Sequence, residues 1–406
     1  MKSARIVALS IFALGFAFNE WAFRFIFPLP PVDSFIRLMT LVLDGFLLAL
    51  IGAFAWHNTP FAERLKQLLH QSPKLVAVFM GLFFAYGSFM AVEFGCRFYF
   101  KHIYEAPYTE QTYWEPSSVV PDSVLGTALQ PDTVISHVLI VNDSLIYKKQ
   151  YHIDAFGRHS TPSNDSARAE FAMVTGCSFV FGYAVEENQT LSYYLDSLTR
   201  LRGYNYGVSG HGTQQTLEII KSRNLHNEIN EPNGLLVHLF IDDHVNRLIG
   251  SRRLIKLWAS NFPYYYLNGE DLKHNGSFLS GRPVLTRFYW AISQSAFIDL
   301  FDIDFPWYVG DKHMKLFGAV LRVAKSEFLM QYPNGRFLVV LAPNSVLAPR
   351  AKKVLEENSI EVLDCSNLLN KEQKQYKVHW TERHPNRKYY LEVAEEIKRH
   401  INANPQ

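Results

Sequence analysis

The stretch Phe171-Ala-Met-Val-Thr-Gly-Cys-Ser-Phe179 combines a short strand with a turn that carries a serine. Residues 171–175 are apolar or β-branched, which predicts a strand covered on both faces. Sites in parallel α/β sheets form beyond the carboxyl ends of the strands. Ser178 directly follows such an end, so it is the first candidate for a functional side chain. A serine in this position is also compatible with simple capping of a helix.

Strands and helices alternate around this stretch. The sequence predicts helices at 189–202, 213–225 and 386–401, and strands at 235–241, 337–342 and 360–363. Alternation of this kind indicates an α/β domain whose parallel sheet is covered by helices. We expect this domain to span residues 166–406, with an aromatic-rich insertion at about 255–330.

A smaller β-rich lead-in is expected at residues 101–165. Residues 134–141 are apolar and β-branched, and residues 145–153 alternate between apolar and polar side chains. The turn sequence Asn142-Asp143-Ser144 separates the two segments, which together predict a β-hairpin.

The first hundred residues are expected to be a membrane anchor. Apolar stretches lie at about 6–27, 35–56 and 75–100, and roughly 20 such residues suffice to span a bilayer. Basic residues at the chain start and between the second and third stretches favour a cytoplasmic location for those parts; they are Lys2, Arg5, Arg64, Lys66 and Lys74. We therefore predict three transmembrane helices in the inner or plasma membrane, with the later domains on the periplasmic or extracellular side.

Two Glu–Arg pairs share the same spacing near the ends of the first and third stretches. Glu20 and Arg24, like Glu93 and Arg97, are four residues apart, which on a helix predicts an ion pair on one face. Such a pair makes a polar contact between spans or lies at the membrane interface beside aromatic residues. The interfacial interpretation is favoured.

Composition excludes several classes of function. The 406 residues carry a formal net charge of only +2, which gives no reason to expect a nucleic-acid partner. Cys96, Cys177 and Cys365 form no CxxC pair, so neither a zinc knuckle nor a redox motif is expected. A disulfide between Cys177 and Cys365 stays open, although two free thiols are favoured. No metal or other cofactor is expected.

Two later blocks carry further candidates. In Asn205-Tyr-Gly-Val-Ser-Gly-His-Gly212, three glycines precede a helix, so that backbone N–H groups can face an oxyanion. The block is equally typical of a tight turn between a strand and a helix. In His379-Trp-Thr-Glu-Arg-His-Pro-Asn386, a histidine opens the last helix and Glu382 can orient its imidazole. The alternative is that this block is only the start of a surface helix, with no catalytic role.

In this order, the three blocks resemble those of the SGNH (GDSL-type) hydrolase superfamily over about residues 120–402. Residues 122–126 and 151–158 look like the lead-in of membrane-anchored members. The resemblance implies a three-layer sandwich with a parallel sheet. It also implies that Ser178 is the nucleophile, that His384 is the general base, and that the N–H groups of Ser178 and Gly210 are oxyanion donors.

The chain departs from the family pattern at three positions. The family usually has Asp where this chain has Cys177, but that Asp takes no part in proton transfer. The family has an oxyanion-donating Asn where this chain has Asp242, and a carboxylate only accepts hydrogen bonds. A protonated Asp242 could still donate, or His244 could replace it. Glu382 takes the place of the Asp that usually orients the histidine.

The predicted function is ester hydrolysis by Ser178, His384 and Glu382, on O-acyl groups of small molecules or of cell-envelope or exported glycans. An O-acyltransferase with the same residues is an alternative, in which a membrane partner protein delivers the acyl group. A non-catalytic binding protein on the same fold is a third reading, supported by Asp242. The aromatic residues of the insertion form either a sugar-stacking wall or core packing; they are Tyr264, Tyr265, Tyr266, Phe288, Tyr289 and Trp290.

Overall fold

The computed structural model describes residues 73–163, 168–369 and 373–404, together with positions 67 and 71. The membrane spans expected at about 6–27 and 35–56 lie outside the described residues. The chain divides into two compact units, one formed by residues up to Glu105 with Trp290–Ile303, the other by Ala106–Tyr289 with Asp304–Gln406.

The strands of the described residues are β1 (Glu110–Glu115), β2 (Val120–Asp122), β3 (Gly126–Ala128), β4 (Thr133–Val141), β5 (Ser144–Ile153), β6 (Glu170–Gly176), β7 (Leu201–Gly207), β8 (Asn233–Phe240), β9 (Pro263–Asn268), β10 (Asp271–Ser277), β11 (Arg336–Leu341) and β12 (Glu361–Asp364).

The helices of the same residues are α1 (Pro73–His102), α2 (Ser178–Phe181), α3 (Leu191–Leu198), α4 (Thr213–Ser222), α5 (Asp243–Ile249), α6 (Arg252–Leu257), α7 (Phe278–Gly281), α8 (Pro283–Ile292), α9 (Ala296–Leu300), α10 (Asp311–Gln331), α11 (Ala348–Glu357) and α12 (Arg387–Ala403). Short 3₁₀ turns lie at Glu187–Gln189, Leu225–Asn227, Ala259–Asn261 and Gln373–Tyr376.

The centre of the second unit is a five-stranded parallel sheet with the order β12-β11-β8-β6-β7. Successive residues of a strand point to opposite faces, and Phe171 and Met173 accordingly enter one core while Ala172 and Val174 enter the other. Helices α4, α5, α10 and α11 pack into the first core, and α3 and α12 into the second. This helix–sheet–helix arrangement is the three-layer sandwich with a parallel sheet that was expected from the sequence.

One predicted helix is too long at its end. The sequence suggested a helix over 189–202, but α3 ends at Leu198 and the chain enters strand β7 at Leu201. The Thr199 hydroxyl accepts a hydrogen bond from the Leu201 N–H at 3.1 Å, so it stabilises the turn between helix and strand. Gly203 then lets β7 pass close to α3, because a Cβ there would collide with the Ser192 carbonyl oxygen.

The lead-in contains the predicted hairpin. Strands β4 and β5 pair in antiparallel register around Asn142 and Asp143, whose φ angles of 47° and 59° suit a tight hairpin turn. Strand β1 was not predicted, and it completes a three-stranded sheet by pairing with β4.

The third expected membrane span coincides with α1. Within the described residues, no helix combines the length and the apolar character needed to cross a bilayer. The expected span at 75–100 therefore has no support. The location of the later domains on the outer side of a membrane stays a prediction.

Glu93 and Arg97 form the predicted ion pair, with Nε of Arg97 2.9 Å from Oε1 of Glu93. A contact of this pair with the first apolar stretch is not tested, because that stretch lies outside the described residues. Glu93 is fully buried and accepts hydrogen bonds from Ser295 Oγ at 2.6 Å, from Ala296 N at 2.8 Å and from Phe297 N at 3.1 Å. The carboxylate therefore binds the first N–H groups of α9, within the first unit.

We expect Glu93→Gln to destabilise this unit by about 3 kcal/mol, because an amide cannot replace a buried carboxylate that accepts from several donors. The measurement is hydrogen exchange of peptides that cover residues 290–303, which should become faster. Glu105→Gln, at an exposed position of the same unit, is the control and should change nothing. Equal exchange in both variants would contradict the role of Glu93.

Candidate active site

Ser178 lies where β6 passes into α2, and it is 6% exposed. The neighbouring strand β7 runs close beneath this short helix. A Cβ at Gly207 would lie 2.7 Å from the Val180 carbonyl carbon and would also collide with the Phe181 nitrogen. Glycine at position 207 therefore lets α2, and Ser178 with it, pack directly on the sheet.

Asn205 holds the other end of α2. Its Nδ2 donates to the Val180 carbonyl oxygen at 2.9 Å, and its Oδ1 accepts from the Gly207 N–H at 2.9 Å. His159 adds a contact of 2.6 Å between Nδ1 and the Phe181 carbonyl oxygen. The pattern of the block indicated only its glycines, and the role of Asn205 in fixing the turn that carries Ser178 could not be predicted from it.

Ser178, His384 and Glu382 form one hydrogen-bonded chain. Oγ of Ser178 lies 2.8 Å from Nε2 of His384, and Nδ1 of His384 lies 2.6 Å from Oε1 of Glu382. The backbone N–H of His384 also donates to Oε1 of Glu382 at 3.1 Å. The structure thus brings together the three side chains selected from the sequence as candidate nucleophile, base and acid.

The loop that carries His384 is closed at its base by Asn386. The Asn386 N–H donates to the Tyr376 carbonyl oxygen at 2.9 Å, and its side chain accepts from the Lys388 N–H at 3.0 Å, the first turn of α12. Asn386 therefore caps the helix as its sequence position predicted, and it fixes the loop at the same time. The imidazole of His384 packs beside the rings of Tyr183 and Phe179, with centroids 4.8 Å and 5.7 Å away.

The pKa of Glu382 is about 2, against an ordinary value of 4.5. Burial alone would raise this pKa, but the hydrogen bonds and charge of His384 outweigh burial and lower it. An ionised Glu382 can only accept, so Nδ1 of His384 carries the proton and Nε2 is free to accept the Ser178 hydroxyl proton. The ionised carboxylate stabilises the folded protein above about pH 4.5, and this contribution is lost as the pH falls towards 2.

Two backbone N–H groups are available for an oxyanion. Among the described residues, neither Ser178 N–H nor Gly210 N–H has a hydrogen-bond acceptor. Gly210 has a φ angle of 80°, and a Cβ there would lie 2.9 Å from Nε1 of Trp258. Gly210 is therefore required both by its backbone conformation and by the indole that packs against it.

Asp242 does not act as the side-chain donor that the sequence position suggested. Its Oδ1 accepts from Ser345 Oγ at 2.5 Å and from the Leu347 N–H at 3.2 Å, and its Oδ2 accepts from the Val346 N–H at 2.8 Å. Both oxygens therefore act as acceptors, and the carboxylate anchors the loop that precedes α11. The alternative in which the Asp242 side chain donates to an oxyanion has no contact to support it among the described residues.

His244, the other proposed substitute donor, is fully buried. Its ring lies 5.3 Å from that of His238, and neither of its nitrogens has a hydrogen-bond partner within the described residues. Burial lowers the pKa of His244 well below its ordinary value, so the imidazole is neutral.

The cysteines are not bonded to each other, since Cys96, Cys177 and Cys365 are all free and buried. The preference for two free thiols over a disulfide is confirmed. Burial raises the pKa of Cys365 to about 12. No group of three or more His, Cys, Asp or Glu side chains is arranged to hold a metal ion in the part of the chain that the structure describes.

The aromatic residues of the insertion do not form one wall. Tyr265 is 3% exposed and donates to Glu218, and the Tyr264 and Tyr289 rings pack around Arg282. Trp290 belongs to the first compact unit, whereas the other five aromatic residues belong to the second. The core-packing alternative describes Tyr265. The exposed indole that packs against Gly210 belongs to Trp258, which was not singled out from the sequence.

No protein-family model matches this chain, and comparison with curated proteins finds no match. One similar crystal structure covers 59% of this chain and 100% of its own, with 10% identity and a TM-score of 0.34. Another is a "putative lipolytic protein of G-D-S-L family" from Desulfitobacterium hafniense, with 11% identity, a TM-score of 0.31 and coverage of 57% and 98%. At these TM-scores, the assignment of the site depends on the geometry of this chain.

We expect Asp242→Asn to lower the free energy of unfolding by about 1–3 kcal/mol, because an amide replaces a carboxylate that accepts from three donors. Urea denaturation measures this change. The control is Asp243→Asn at the exposed neighbouring position, which should leave stability within experimental error. Faster acylation of Ser178 in Asp242→Asn would contradict the assignment of Asp242 as a loop anchor, since it would mean that the side chain at position 242 faces the oxyanion.

Proposed function

We propose that this chain is a serine hydrolase of the ester-cleaving type, with Ser178 as nucleophile, His384 as general acid–base and Glu382 as the carboxylate that orients it. The observation that carries the proposal is the continuous chain of contacts of 2.8 Å and 2.6 Å from Ser178 through His384 to Glu382. These distances are within hydrogen-bond reach, as proton transfer requires.

In the first half of the reaction, Ser178 Oγ attacks the ester carbonyl carbon while its proton moves to Nε2 of His384. The carbonyl π electrons pass to the oxygen, and the resulting oxyanion accepts hydrogen bonds from Ser178 N–H and Gly210 N–H. The bond to the leaving oxygen then breaks, and the proton on Nε2 passes to that oxygen. The products are a free alcohol and an acyl ester on Ser178.

In the second half, water attacks the acyl carbon and gives its proton to Nε2 of His384. The new tetrahedral intermediate uses the same two N–H groups. Its collapse breaks the bond to Ser178 Oγ, which recovers the proton from His384. Glu382 stays ionised throughout and stabilises the imidazolium in both halves.

We propose O-acylated glycans as the substrate class. Trp258, 43% exposed, packs on Gly210, and Trp380, 61% exposed, lies two residues before Glu382. Trp380 is supported by Tyr108, whose ring centroid is 4.8 Å away in an edge-on arrangement. An exposed indole offers a flat apolar face on which a sugar ring can stack.

An O-acyltransferase would share the first half of this reaction and differ only in the second, where a sugar hydroxyl replaces water. Analysis of the products with and without a glycan acceptor distinguishes the two outcomes. Appearance of acylated acceptor would establish transfer, and free acid alone would establish hydrolysis.

We expect an alkyl fluorophosphonate probe to label wild-type protein, because Ser178 Oγ displaces fluoride from phosphorus. Ser178→Ala should abolish the label, and Ser197→Ala, at an exposed position of α3, should keep it. Labelling is read by intact-protein mass spectrometry. Unlabelled wild-type protein would support the non-catalytic reading instead.

We expect Trp258→Ala to raise KM for an acetylated oligosaccharide about 10-fold, which corresponds to the loss of one stacking contact. The effect should be smaller for a short acyl ester that lacks the sugar. Trp307→Ala, 71% exposed in the same unit, is the matched control and should have no effect. A KM equal to that of wild type would exclude Trp258 from sugar binding.

A further inference from the structure

Ser178, His384 and Glu382 form a triad, and Glu382 has a further hydrogen-bonded partner outside it. While Oε1 contacts His384, Oε2 accepts from the Tyr147 hydroxyl at 3.2 Å. Tyr147 lies on β5, in the small antiparallel sheet, and is 7% exposed. A residue 235 positions away in the chain therefore fixes the oxygen that His384 leaves free.

The direction of this hydrogen bond follows from the charge of the carboxylate. Since ionised Glu382 only accepts, the Tyr147 hydroxyl is the donor. Burial, followed by the charge of Glu382, raises the pKa of Tyr147 far above its ordinary value, so the hydroxyl keeps its proton. The lone pairs of Tyr147 then face Nε2 of His137, 3.4 Å away.

Strand pairing builds the support behind Tyr147. Register places Trp114 of β1 opposite His137 of β4, and their rings stack with centroids 3.5 Å apart. Thr112 Oγ1 lies 3.0 Å from Nε2 of His137. Burial lowers the pKa of His137 to about 4, so its imidazole is neutral at ordinary pH.

We propose that Tyr147 is a positioning residue for Glu382, and that the sheet of β1, β4 and β5 is a working part of the active site. This inference depends on the proposed serine-hydrolase function. Glutamate has more freely rotating bonds than aspartate, so a carboxylate held at only one oxygen would swing away from His384. Contacts at both oxygens keep it in the plane that His384 needs.

The other ionisable groups near Glu382 do not replace this contact. The Tyr183 hydroxyl interacts with the side chains of Ser209 and Ser118, and burial raises its pKa to about 12. The Tyr151 hydroxyl accepts from the Ala184 N–H at 2.9 Å. Tyr151 is therefore a matched control, since it is buried on the same strand and hydrogen-bonded without touching the triad.

The test is a double-mutant cycle read by the rate of fluorophosphonate labelling across pH. Tyr147→Phe should slow labelling about 10-fold, the value of one hydrogen bond to a charged group. In the Glu382→Gln background, the same change should have almost no further effect, because the carboxylate through which Tyr147 acts is gone. Since the hydrogen bond from Tyr147 lowers the pKa of Glu382, the acidic limb of the pH–rate profile should move to higher pH in Tyr147→Phe and stay in place in Tyr151→Phe.

Equal slowing in both backgrounds, or an unmoved pH profile, would mean that Tyr147 is only structural and would overturn the inference. If Tyr147→Phe does not fold, Tyr147→Leu is the second variant, with Tyr151→Leu as its control. Absence of labelling in wild-type protein would overturn the proposed function, and this inference with it. Labelled wild type with an unaffected Tyr147→Phe would overturn the inference alone.

Discussion

The hydrogen bond between Ser178 and His384 is the interaction on which the rest of the site depends. It joins residues 206 positions apart, so it forms only when the carboxyl end of β6 and the loop before α12 meet at one edge of the sheet. The charge of Glu382 makes the contact useful, because it assigns the proton on His384 and leaves Nε2 free to accept. Strand β7 packs closely against α2 at Gly207, and Asn205 hydrogen-bonds the end of α2. These contacts fix the position of Ser178.

Sequence patterns predicted what depends on local chemistry. The buried strand before Ser178, the hairpin around Asn142 and the capping of α12 by Asn386 each follow from neighbouring residues. The order of three short blocks was enough to select Ser178, His384 and Glu382. Strand β7 was missed because Gly203 and Arg202 do not read as a buried strand, and the reason for Gly203 is its approach to α3, which no local pattern reveals.

Contacts between distant segments could not be predicted. Nothing in the lead-in indicates that Tyr147 reaches the carboxylate of a loop 235 residues later, and Trp258 is one aromatic residue in a segment rich in them. Glu93 and Arg97 were recognised as a pair from their spacing, but their contact with residues 294–297 depends on tertiary packing. The comparison of Asp242 with the family pattern identified the unusual position, and only the structure showed that its oxygens accept from the loop at 345–347.

The position of Asp242 has a mechanical consequence for this edge of the sheet. In this chain the carboxylate has become the anchor of a loop that begins another helix, so an amide donor at the same site would come at the expense of that anchor. One ionised carboxylate cannot anchor this loop and also donate a hydrogen bond to an oxyanion, because it only accepts. Because Asp242 follows β8 and residues 345–347 follow β11, the carboxylate cross-links the loops after two neighbouring parallel strands, and we expect these loops to move as one rigid body.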